Sequence, residues 1–203
     1  MHIHRYLHHT TILLLMFIGL FAVPEVVRAQ SDYMLHSDTE ITIEGTSTRS
    51  DWIVHAEEVE GSFGIAGDGS STTVNHGSLS IDSANIKSRK STIMDRLMHD
   101  ALMINEHPEI NYELTTAEPA GATAADGTIV LNTTGQLSLT GTTKDVQINV
   151  TGTRLADGKI RFTGSHAMKM SDYGMAAPTA MFGQLRTGDD ITIHFDIVAA
   201  PAE

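Results

Sequence analysis

Apolar and polar residues alternate along most of this chain, which predicts β-strands with one buried face. The alternation starts at Ile41 and Ile43 and returns repeatedly up to Ile197. The longest run predicts a strand over 129–139, and Gly135 inside it suggests a bend. About eight strands at regular spacing predict an antiparallel sandwich or barrel.

One segment departs from this period and predicts a helix. Its apolar residues recur at helical spacing and form one stripe: Met94, Leu97, Met98, Ala101 and Leu102. Thr92 and Asp95 form a variant capping box at its start, and Pro108 requires the helix to end before it. A single apolar-faced helix in a β chain predicts a closed barrel with a plug or lid at its mouth.

The first residues predict an export signal. An apolar run over 11–23 is too short to span a membrane, and small or aliphatic residues precede a predicted cleavage after Ala29. Residues 1–29 are therefore expected to be removed, leaving one domain over 30–203 without a stable membrane span. The expected location is periplasmic or secreted.

Composition excludes several functions. The chain has no cysteine, so a thiolate nucleophile or thiolate metal site is excluded. Its formal charge of −12 argues against nucleic acid and against anionic membrane surfaces as partners. No metalloprotease or nucleophile-elbow motif is present, and His99 lies off the apolar stripe, where it is expected to face solvent. An enzyme is not expected.

Six stretches, taken in order, resemble the YceI-like family of exported lipid-binding proteins. Their order and spacing across nearly the whole domain carry the resemblance. They are IEGTST at 43–48 with Trp52, IDSANI at 81–86, MDRLMHDAL at 94–102 with HPEI at 107–110, GQLSLTGTTKDV at 135–146, SDYG at 171–174 with Pro178, and RTGD at 186–189.

The resemblance implies an extended, lipocalin-like antiparallel β-barrel with a helix packed at its mouth. It also implies a long apolar ligand along the barrel axis, typically a polyisoprenoid or an isoprenoid quinone. Residues 45–48 and Trp52 stand where the better-known branch carries a histidine-containing segment, which leaves the identity of the lipid open. Binding or carriage of an isoprenoid in the periplasm is the expected function, and a homodimer is possible.

A lipid cavity needs apolar, adaptable walls, and each buried methylene contributes about 0.8 kcal/mol. The alternative is that the same side chains fill a solid core. The predicted lining consists of Phe63, Leu79, Ile81, Met94, Leu97, Met98, Leu102, Leu137, Phe162, Met168, Met170 and Phe195.

Basic residues around the helix are candidates to meet a phosphate head group. They are Lys87, Arg89, Lys90 and Arg96, and the alternative is an ordinary solvated face.

Two other functions stay open. His166, Met168 and Met170 share one predicted strand face and, with Met175 and Met181 nearby, could bind copper in an oxidising compartment. A structural or stress-related interaction protein with a filled barrel is the other alternative. No cofactor is required by the favoured interpretation.

Overall fold

The computed structural model describes residues 30–67, 72–121, 124 and 127–202, so the predicted signal peptide lies outside it. The described chain is mainly β. Its elements are β1 (Gln30–Leu35), β2 (Glu40–Ser47), β3 (Trp52–Ala56), β4 (Glu60–Ala66), β5 (Thr73–Asp82), β6 (Ile86–Lys87), α1 (Thr92–Leu102), β7 (Glu109–Pro119), β8 (Ile129–Leu139), β9 (Thr142–Arg154), β10 (Ile160–Lys169), β11 (Thr179–Ala180) and β12 (Leu185–Pro201).

Eight antiparallel strands close into a barrel, which confirms the predicted fold. Going round, the order is β1, β4, β5, β7, β8, β9, β10 and β12, and β12 returns to β1. Closure depends on β1, which the alternation pattern did not predict. Tyr33 on β1 stands opposite Phe63 of β4 on one side and Pro201 of β12 on the other.

The remaining strands extend one end of the barrel. The first part of β12 pairs with β2, which pairs with β3, which pairs with β6. The helix follows β6 and lies across this end of the barrel. The apolar stripe predicted for α1 lines the barrel interior.

The N-cap of the helix lies one residue earlier than predicted. Ser91 is the N-cap residue, and its Oγ accepts a hydrogen bond from the Met94 N–H at 3.3 Å. Asp95 instead accepts from the Ser88 N–H at 2.7 Å, so the predicted Thr92–Asp95 capping box is wrong. The prediction that His99 faces solvent is also wrong. Its Nε2 lies 3.0 Å from the Ile86 carbonyl oxygen, tying α1 to β6.

The long connection between β10 and β12 contains regular structure. It contains two 3₁₀ turns, at Met170–Tyr173 and Met181–Gly183, with β11 between them. The second turn lies beside the loop that joins β2 to β3. Thr48 Oγ1 donates to the Gln184 carbonyl at 3.1 Å, and the Thr48 N–H donates to the Arg186 carbonyl at 2.9 Å.

Among the described residues, no helix is both long and apolar enough to cross a membrane.

Candidate ligand cavity

A cavity of about 600 Å³ runs through the barrel interior from the α1 end. Cavities that hold organic ligands have volumes of roughly 300–1,000 Å³, so this one has the size of a ligand site. Strands from all sides of the barrel and the inner face of α1 form its wall. That wall is overwhelmingly apolar, as alternation on the strands requires.

Every residue of the predicted lining lies on this wall. The strands contribute Phe63, Leu79, Ile81, Leu137, Phe162, Met168 and Phe195; Met170 follows β10; and α1 contributes Met94, Leu97, Met98 and Leu102. Apolar residues recur every second residue on the strands and every 3.6 residues on the helix, and both sets therefore face the same cavity. Their contact with a ligand remains a prediction.

The barrel is solid at its other end. Phe63 and Phe162 meet there with ring centroids 5.8 Å apart. Beyond them lies a group of buried residues that do not line the cavity: Tyr33, Ile65, Ile129, Ile160 and Ala199. The interior is therefore part cavity and part packed core, and the cavity has a floor.

Methionines are concentrated on the wall near α1 and the connection after β10. They are Met94, Met98, Met168, Met170, Met175 and Met181. An unbranched, polarizable thioether adapts to ligands of irregular shape, which suits a flexible hydrocarbon chain.

Three polar side chains interrupt the wall inside the barrel. Tyr112 shares a hydrogen bond with Thr133, and burial raises the pKa of the Tyr112 phenol. Thr133 Oγ1 donates to the Ile148 carbonyl at 2.8 Å. Burial lowers the pKa of His166, so its imidazole is held in the neutral form. The interior is therefore uncharged, as an apolar ligand requires.

Gly135 lies where the Tyr112 ring crosses β8. A Cβ at this position would collide with the Tyr112 ring, so only glycine lets the ring cross the strand. The pairing of β7 with β8 is irregular opposite Gly135, between Leu114 and Thr116 of β7, and the bend at Gly135 stays a prediction.

The mouth is where the wall becomes polar. Ser47, Arg49, Ser50, Ser91 and Thr187 border it. Arg49 is the only lysine or arginine on the wall in the described part of the chain. It sits in the turn after β2, where no periodic pattern indicates a site.

The four head-group candidates do not line the cavity. The Glu57 carboxylate lies 3.6 Å from Lys87 Nζ and 3.0 Å from Arg89 Nε. The hydrogen bond from Arg89 lowers the pKa of the Glu57 carboxyl. Lys90 borders a shallow depression beside the mouth, and Arg96 is exposed on α1.

Residues proposed for other chemistry are also accounted for. His166, Met168 and Met170 share the cavity wall, as a soft-metal site would require, and copper binding there stays a prediction. Asp95 and His99 bond to backbone groups of residues 88 and 86, where they position α1.

Known structures share this fold. BcnA of Burkholderia cenocepacia gives a TM-score of 0.65 at 16% identity, with 80% of this chain and 96% of that chain covered. A polyisoprenoid binding domain from Saccharophagus degradans, implicated in plant cell wall breakdown, gives 0.65 at 12%, covering 86% and 100%. The YceI protein of Campylobacter jejuni gives 0.55 at 20%, covering 74% and 84%.

Sequence comparison adds one finding. No curated protein matches the chain. A family model described as YceI-like domain matches residues 33–199, which is most of the chain.

Proposed function

The chain belongs to the YceI-like domain family, and on that premise we propose that it binds a long isoprenoid lipid inside its barrel. The observation that carries the proposal is the floored cavity of about 600 Å³, whose wall is almost entirely apolar. A filled barrel without a ligand would leave no such space.

The hydrocarbon tail supplies the affinity in this account. Each methylene transferred from water into the barrel contributes about 0.8 kcal/mol, so several isoprene units give tight binding without hydrogen bonds. The methionine-rich upper wall follows the bends of the chain, and the Phe63–Phe162 pair limits its depth.

The polar head group is proposed to remain at the mouth. Arg49 borders the mouth, and among the described residues no carboxylate lies within ion-pair distance of its guanidinium. A guanidinium binds phosphate through two parallel hydrogen bonds. A polyprenyl phosphate therefore fits this site better than a quinone, whose neutral ring would gain less from Arg49.

Carriage without catalysis, in the periplasm or outside the cell, is the role we propose. The predicted signal over residues 1–29 supports export. The polar groups inside the barrel also have structural partners: Tyr112 with Thr133, and Thr133 with the Ile148 carbonyl.

The test is a titration in which binding is monitored through the fluorescence of Trp52. Trp52 is the single tryptophan of the chain and lines the cavity. The titrants are a long-chain polyprenyl phosphate and an isoprenoid quinone dispersed with cyclodextrin. Saturable binding with one site is expected. Ala101→Phe places a ring in the cavity from α1 and should weaken binding about tenfold or more, or roughly 1.4 kcal/mol.

Ala167→Phe is the matched control, because Ala167 is exposed on β10 beside the buried Met168. It should leave the affinity unchanged. Absence of saturable binding, or equal effects of the two variants, would contradict the proposal. Arg49→Gln should weaken binding of the phosphate and leave that of the quinone nearly unchanged.

A further inference from the structure

The mouth of the cavity carries large apolar side chains that face water. Ile93 on the first turn of α1 is 62% exposed, Met181 is 63% exposed, and Phe182 is fully exposed. The other large exposed apolar residues of the described chain are Met34 and Val130, on strands at the floor end. Exposed apolar clusters on a monomer commonly mark an interaction surface.

These side chains belong to one rim. Ile93 and Met181 also line the cavity. The turn that holds Met181 and Phe182 is hydrogen-bonded to the loop that holds Arg49, through Thr48 and Gln184. Ser50 of that loop and Met94 of α1 border both the cavity and the shallow depression beside it, so the helix and the loop border the same opening.

The backbone holds the aromatic residue outward. Met181 and Phe182 adopt positive φ angles of 53° and 54°, and Gly183 follows at 83°. A positive φ is sterically unfavourable for residues other than glycine, so the turn is not a default conformation. The turn therefore keeps an unfavourable backbone conformation although the Phe182 side chain is not buried.

Unpaired cations accumulate on the same rim. Carboxylates pair with Lys87, Arg89, Lys144, Lys159, Arg161 and Lys169. In the described part of the chain no such partner is found for Arg49, Lys90, Arg96 or Arg186, all exposed, and Arg186 Nε bonds only to the Gly183 carbonyl beside Phe182. Arg154 also has no carboxylate partner, but it lies at the floor end, where it donates to Tyr33 Oη. The exposed carboxylates nearby are Asp51, Asp100, Glu44 and Asp190, of which Asp190 pairs with Lys169. The four cations without a carboxylate partner therefore exceed the three carboxylates without a lysine or arginine partner, although the whole chain carries −12.

We propose that this rim docks on the surface of an anionic phospholipid bilayer. Ile93, Met181 and Phe182 insert among the acyl chains next to the head groups, and Arg49, Lys90, Arg96 and Arg186 meet lipid phosphates. The cavity mouth then opens onto the bilayer, so an isoprenoid crosses from membrane to barrel without entering water. The consequence for lipid transfer rests on the proposed function, but docking itself does not.

The test is co-sedimentation of the purified protein with large unilamellar vesicles. Vesicles of mixed phosphatidylglycerol and phosphatidylcholine should bind it, and vesicles of phosphatidylcholine alone should bind it more weakly. Added salt should weaken binding to the anionic vesicles, because exposed charges are screened. The double variant Ile93→Asp, Phe182→Asp should lower the partition coefficient at least tenfold.

The matched control is Met34→Asp, Val130→Asp, which removes two exposed apolar residues from the floor end. It should bind vesicles as the wild type does. Binding that is absent, or equally affected by the two double variants, would overturn the docking proposal. So would a wild-type dimer in sedimentation velocity that the rim variant dissociates, because the rim would then cover a second copy of the chain.

Docking and lipid binding are separated by the Trp52 titration in cyclodextrin, where no bilayer is present. The single variant Phe182→Asp should bind vesicles more weakly than the wild type but retain wild-type affinity in this titration, because Phe182 does not line the cavity. Vesicle binding without saturable titration would overturn the proposed function and support docking. Saturable titration without vesicle binding would support the proposed function and overturn docking.

Discussion

Tyr112, Thr133 and His166 are the residues that decide the character of the barrel interior. Burial raises the pKa of Tyr112 and Thr133 does not ionise, which leaves His166 as the interior group whose charge depends on pH near neutrality. A protonated imidazole would place a charge on an apolar wall. Burial opposes this by lowering the pKa of His166.

That shift predicts a pH dependence of stability. The unfolded chain protonates His166 near its ordinary pKa of about 6.5, before the folded protein does. The stability associated with the neutral ring is therefore complete above about pH 6.5. It is lost as pH falls from there through the lower pKa of the folded state. His166→Gln should reduce the change in the free energy of unfolding between about pH 7.5 and pH 5.

Urea denaturation at several pH values, followed by Trp52 fluorescence, measures this slope. His76→Gln is the control, since His76 is exposed on β5. Identical slopes for His166→Gln and the wild type would show that the half-buried ring contributes nothing to the pH dependence.

Residue positions on regular elements could be read from the sequence, whereas positions in turns could not. Each predicted lining residue sits on the wall because periodicity fixes which face a strand or helix residue occupies. Arg49 was missed because it lies in a turn, where no period applies. The close approach of Tyr112 to Gly135 was also missed, because the ring that crosses this position comes from another strand.

At the scale of elements, α1 is anchored at its N-terminus by Ser91 rather than by Thr92. The Ser91 hydroxyl accepts from the Met94 N–H, whereas Thr92 is exposed. Ser91→Ala should cost about 1 kcal/mol of stability, the usual effect of losing a cap. Thr92→Ala should be neutral within a few tenths of a kcal/mol. A larger loss for Thr92→Ala in denaturant titrations would contradict this assignment.

The strand β1 shows where element prediction failed. It is six residues long, and its burial comes from pairing with β4 and β12 rather than from a long alternating pattern. Closure is a long-range property, because β12 lies at the other end of the described chain. A local pattern carries no information about such a partner.

For the whole molecule, barrel closure and the helix together account for a cavity with one floor and one mouth. The sequence predicted the barrel and its helix because both follow from local periods and their order. The cavity itself depends on how the wall residues pack around the axis, and alternation fits a filled core equally well. Volume therefore had to come from the structure.

The central claim is that the barrel holds an isoprenoid lipid. The most direct measurement is purification of the protein without detergent from the cells that produce it, followed by organic extraction and mass spectrometry. One isoprenoid per chain is expected in the wild-type extract. It should be missing from the Ala101→Phe variant and present in the Ala167→Phe variant. A folded wild-type protein that yields no isoprenoid, and takes none up when one is supplied, would contradict it.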